Sequence, residues 1–141
     1  MTSNSHGTPR FIDTNILLRY FTGDDPRKAA ACLALLQRIE DGQETAITSS
    51  LVVFETAFSL YSSYHLTRER IRDLLAPVLG LRGLRVPDRQ TFLDALDLYA
   101  HHSVSFADAF NTVYARAHGV GEIYSYDRDF DRIPGMRRLE P

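Results

Sequence analysis

The sequence contains no tryptophan, one cysteine and one lysine. A lone Cys32 cannot form an internal disulfide, and its place inside an apolar helical run fits a reducing compartment. The longest uninterrupted apolar run, Ala29 to Leu36, is eight residues long. A bilayer-spanning helix needs roughly 18 to 20, so no span is expected. The opening "MTSNSHGTPR" lacks the charged start and apolar stretch of a signal peptide. The expected location is the cytoplasm, with residues 1–9 as a flexible tail. No repeat with a period of about 20 to 50 residues and no linker-like stretch divides the chain, so a single domain over 1–141 is expected. His6, His65, His101, His102 and His118 show no H-x-x-x-H or similar spacing, which speaks against zinc.

Hydrophobic residues at 44% and charged residues at 24% place the chain among ordinary globular proteins and exclude disorder. The net charge of −2 gives no overall field to attract a polyanion, which counts against a nucleic-acid partner. Lys28 is the only lysine among 16 basic residues, the rest being arginine. Arginine forks bind phosphate in bidentate fashion, although a coding bias accounts for the excess equally well.

Strand and helix patterns alternate along the chain. "RFID" reads as a short strand running into the helical "TNILLRYF"; "DDPRKAAACLALLQRIEDG" has Asp25 as N-cap, Pro26 at the first helical position and Gly42 as stop. "ETAIT" reads as a strand, "SSLVVFETAFSLYSSYH" as a helix, and "TRERIRDLLAPVL" and "DRQTFLDALDLYAHH" as two more, with a possible strand in "GLRGLRVP". "SFADAFNTVYARAHG" is a helix ending at Gly119, "EIYSY" a strand and "RRLEP" a last edge strand. This alternation predicts an α/β fold with a small, mostly parallel sheet sandwiched between helices.

In such sheets, ligands sit beyond the carboxyl ends of the strands. Asp13 ends the first strand and Asp127 follows "EIYSY", so both are expected on one rim. Asp13 is also a natural N-cap, and Asp127 a natural turn residue. Glu55 has Leu51 and Phe58 at helical spacing, with Val52 and Leu60 on the flank, which predicts a carboxylate beside the core-facing stripe. A buried carboxylate persists only when paired, hydrogen-bonded or bound to metal. Asp108 lies three residues after Ser105 in a capping-box pattern, at a helix N-terminus whose dipole favours an anion. Four carboxylates from four elements repel one another unless cations neutralise them, and all-oxygen ligation suits Mg²⁺ or Mn²⁺.

"FIDTNILL", "VVFETAF", "SFADAF" and "YSYDRDFDRI", in that order, resemble the PIN domain of ribonucleases, and more narrowly the VapC-type toxins of bacterial toxin–antitoxin pairs. The resemblance runs from about Phe11 to the C-terminus and implies a three-layer α/β/α sandwich with about four to five strands. It implies a metal site of Asp13, Glu55, Asp108 and Asp127, supported by Thr14, Asn15, Ser125 and Asp129. It further implies Mg²⁺ or Mn²⁺ as cofactor, endonucleolytic RNA cleavage leaving a 5′-phosphate, a VapB-type antitoxin partner and a homodimer or toxin–antitoxin hetero-oligomer. Ser125 stands where the family often has threonine. Asp131 is expected as a solvated turn residue or a partner of Arg128 or Arg132, and Arg19, Arg116 and Arg128 are candidates for phosphate contact. "LVVFETAFSLYSSY" is apolar on more than one face, which suits a partner surface and core burial equally well.

Other carboxylate chemistries fit less well. A haloacid-dehalogenase-type phosphatase wants a second aspartate where Asn15 stands, a DEDD-type exonuclease wants D-x-E, and a receiver domain wants a lysine on a late strand. A PIN-like module that binds RNA or protein without turnover, and a PIN ribonuclease outside any toxin–antitoxin pair, remain as alternatives.

Overall fold

Most helices begin where a side-chain oxygen closes an extended segment. Asp13 accepts a hydrogen bond from the Thr14 amide at 2.8 Å, Asp25 from Lys28 at 3.1 Å, Ser49 from Val52 at 3.2 Å, Thr67 from Arg70 at 3.2 Å and Ser105 from Asp108 at 3.1 Å. Each cap contributes about 1 kcal/mol by satisfying an amide that the helix leaves unpaired. The computed structural model describes residues 7–141, so most of the expected N-terminal tail lies outside the described residues. The helices are α1 (Thr14–Thr22), α2 (Pro26–Glu40), α3 (Ser50–Ser62), α4 (Arg68–Leu79), α5 (Arg89–His101) and α6 (Phe106–Ala117). Only α5 starts without such a cap: Asp88 precedes it in the left-handed region at φ 53° and makes no side-chain capping bond.

The strands are short. β1 (Arg10–Phe11), β2 (Ala46–Ile47) and β3 (Leu84–Arg85) form one parallel ladder in that order, and β4 (Glu122–Tyr124) and β5 (Arg137–Leu139) form a second parallel pair. The expected α/β architecture with parallel strands is what the chain forms, its strands divided between two ladders. Arg10, Ala46 and Leu84 stand abreast, with Phe11, Ile47 and Arg85 abreast one position on. Thr48 extends the β1–β2 connection by donating its hydroxyl to the Ile12 carbonyl at 2.9 Å.

Two hydrophobic cores flank these strands. One joins α1, α2 and the first ladder through Ile12, Leu17, Leu36, Ile39, Ala46 and Leu84. The other is enclosed by α3 to α6 and includes Ile133 and Met136 beside β5. Phe92 sits at its centre, fully buried, with Phe54 and Phe110 at ring-centroid distances of 5.3 and 4.7 Å. Burying one such ring contributes about 2 to 3 kcal/mol. Among the described residues the buried carboxylate is Glu44, which pairs with Arg10 at 3.2 Å and approaches Arg38 at 4.0 Å.

The expectation for Glu55 is corrected here. The buried line of α3 is Val52, Val53, Thr56, Ala57 and Leu60. Leu51 and Phe58 remain 71% and 69% exposed, and Glu55 between them is exposed as well. The apolar residues flanking it form a second, uncovered face, so the desolvation argument for Glu55 does not apply.

Candidate active site

Asp108 stands in the first turn of α6, where Ser105 holds its amide, and Asp127 and Asp129 stand in the turn that follows β4. The Ser125 hydroxyl accepts from the Asp127 amide at 3.0 Å, and Asp127 Oδ1 accepts from the Asp129 amide at 2.9 Å. These bonds fix the backbone that opens the short 3₁₀ helix Arg128–Arg132. Carboxylate oxygens of Asp108, Asp127 and Asp129 consequently lie within 4.8 Å of one another. Burial pushes the Asp108 carboxyl above its ordinary value of 3.8, against a lowering hydrogen bond with Ser105, and repulsion from Asp127 and Asp129 adds to the rise. Arg132 offsets part of the charge through Asp129, at 3.3 Å.

Asp13 and Glu55 lie outside this triplet. Glu55 nevertheless shares a cavity of about 640 Å³ with Asp129 and Ser105, so it faces the same opening. Asp13 is exposed just beyond β1, where it caps α1, and Asn15 beside it is exposed. Thr14 is buried, and its hydroxyl has no hydrogen-bond partner.

The arginines expected near phosphate differ in freedom. Arg19 pairs with Asp24 at 3.1 Å, and Arg116 donates to the Pro134 carbonyl. Arg128 is exposed at the start of the 3₁₀ helix, between Asp127 and Asp129 in sequence. Asp131 is exposed in the turn, as one of its two expected roles has it, and its partner is Arg138, at 3.1 Å, rather than Arg128 or Arg132. β5 carries Arg138 back beside the turn, a proximity that local sequence does not encode. Sequence reasoning also passed over Arg68, which enters the same cavity as Glu55 and Asp129. The available signal was its place at the first position of α4, where the helix dipole disfavours a cation.

Three clustered carboxylates with no thiolate or imidazole among them offer hard oxygen donors to a divalent cation. That donor set, and the mutual repulsion that adds to the burial-driven rise of Asp108, fit a hard divalent cation.

The PIN domain family matches residues 10–136. A VapC ribonuclease of Aquifex aeolicus is 23% identical over 132 residues, covering 94% of this chain and 96% of that protein. Ribonuclease VapC13 of Mycobacterium tuberculosis and a VapC ribonuclease of Mycobacterium bovis are each 27% identical over 130 residues, covering 91% of this chain and 97% of theirs.

Proposed function

Because the chain belongs to the PIN domain family, we propose that it is a Mg²⁺- or Mn²⁺-dependent endoribonuclease and the toxin of a toxin–antitoxin pair, formed by a single PIN-like domain. The observation that carries this reading is the convergence of Asp108, Asp127 and Asp129 within 4.8 Å, inside the matched region. The ribonuclease names of relatives that align over nearly their whole length support the substrate class.

Asp108 and Asp127, joined by Asp13 from the end of β1, would hold the cation, with Asp129 of the same cluster as an auxiliary acid and Glu55 as a further ligand or as the group that positions the attacking water. When bound, the cation neutralises the clustered acids and lowers the pKa of a bound water. The protein's own part is placement. Ser125 fixes the amide of Asp127, Asp127 in turn fixes Asp129, and the N-terminal end of α6 offsets part of the cost that burial places on the Asp108 anion. Glu55 lines, from α3, the cavity that Asp129 also lines. Hydrolysis that leaves a 5′-phosphate breaks the P–O3′ bond with water as nucleophile, so no side chain becomes covalently modified.

The partners are an RNA substrate, a VapB-type antitoxin and a second copy of the chain or an assembly with the antitoxin, in the cytoplasm. Cleavage of a structured RNA such as tRNA tests the reading. Cutting with Mg²⁺ or Mn²⁺ that EDTA abolishes and Asp13→Asn removes is expected; cutting that persists in EDTA contradicts it.

A further inference from the structure

The cavity beside the acids is not uniformly acidic. Glu55 and Asp129 stand in its lining with Ser105, Phe58 and Tyr61 supply ring surface, and Arg68 supplies a cation. Phe58 and Tyr61 are 69% and 44% exposed, so their rings are available to a ligand. The Arg68 guanidinium lies 5.2 Å from the Tyr61 ring centroid and 5.3 Å from that of Tyr99. These ring contacts hold the guanidinium at the cavity wall before any ligand arrives. Its Nε is buried without a hydrogen-bond partner, and among the described residues no carboxylate pairs with it. Burial lifts the Tyr99 phenol to about 12, so that ring stays neutral and leaves the Arg68 charge uncompensated.

A cation held against aromatic rings, next to exposed ring surface, is one way proteins hold an unstacked nucleotide: the base stacks and the fork takes a phosphate. With a net charge of −2, the chain has no general field to retain RNA, so affinity must come from local contacts of this kind. We propose that this trough is a nucleotide subsite for single-stranded RNA flanking the cleaved bond, with Arg68 on a phosphate and Phe58 and Tyr61 against a base. The proposal rests on the ribonuclease reading and names the residues that select an unpaired strand over a duplex.

Fluorescence anisotropy of a labelled single-stranded RNA hexamer, with Ca²⁺ replacing Mg²⁺ to separate binding from cutting, tests it. Phe58→Ala and Arg68→Met are each expected to weaken binding about tenfold, the low-to-middle range for loss of one stacking contact. In Mg²⁺ both are expected to raise KM while kcat stays within about twofold. Arg68→Lys, which keeps charge but loses the planar fork, is expected to fall between wild type and Arg68→Met. Phe58 is exposed, so its variant retains the fold even if Arg68→Met does not. Wild-type hexamer affinity in both variants would overturn the subsite, as would equal affinity of the wild type for a duplex. Loss of protein association in the variants with unchanged RNA affinity would overturn it too, making the trough a protein-docking face. Hexamer binding that depends on Phe58 and Arg68, without cleavage in any metal, would uphold the subsite and count against the ribonuclease reading.

Discussion

At the scale of single residues, Asp108 carries the sharpest consequence. Its raised pKa means that the folded chain holds this proton more tightly than the unfolded chain does. In the metal-free protein, the stability gained from that proton is fully present below the ordinary value of 3.8 and is lost as pH rises through the folded-state value. Asp108→Asn is therefore expected to match the wild type in Tm at low pH in EDTA and to exceed it at neutral pH. Mg²⁺ is expected to raise the neutral-pH Tm of the wild type more than that of the variant. A Tm difference independent of pH would contradict the account. The position of Asp127 was legible because a β-branched and aromatic strand runs directly into it. The setting of Glu55 was not: helical spacing identifies an apolar face, but only the neighbouring elements decide which of two such faces is covered. The same gap hid Glu44, whose burial depends on Arg10 and Arg38 from other elements.

At the scale of elements, the helices were readable and the strands less so. Capping residues announce their helices locally, and Asp25, Ser49, Thr67 and Ser105 all act as caps. Strands of two or three residues carry too little pattern to show their pairing, so the division into two ladders had no sequence signature. The approach of β3 to the end of α2 depends on Gly83. A Cβ there would lie 2.5 Å from the Ile39 carbonyl oxygen and 2.8 Å from that of Glu44, both backbone atoms with little room to yield. Gly83→Ala is expected to destabilise the fold by about 2 kcal/mol or more, read as a lower urea midpoint with unchanged m. An unchanged midpoint would show that β3 and α2 separate freely.

At the scale of the whole molecule, the arginine excess resolves into particular uses. Arg10, Arg19, Arg72, Arg82, Arg132, Arg137 and Arg138 all pair with carboxylates. Most of these pairs are exposed and contribute at most about 1 kcal/mol each. The net charge of −2 follows from 18 acidic against 16 basic residues, and the pairs place many of those opposite charges side by side. Among the described residues, no helix is long and apolar enough to cross a membrane. In the proposed function, acids on separate elements form one hydrolytic site. Cleavage of tRNA by wild type and Asp108→Asn at saturating Mg²⁺, with both proteins shown to be folded and free of bound partner, tests it most directly. 5′-Phosphate products from the wild type and a loss of at least about 100-fold in the variant are expected; equal cleavage by the two proteins would remove Asp108 from the site.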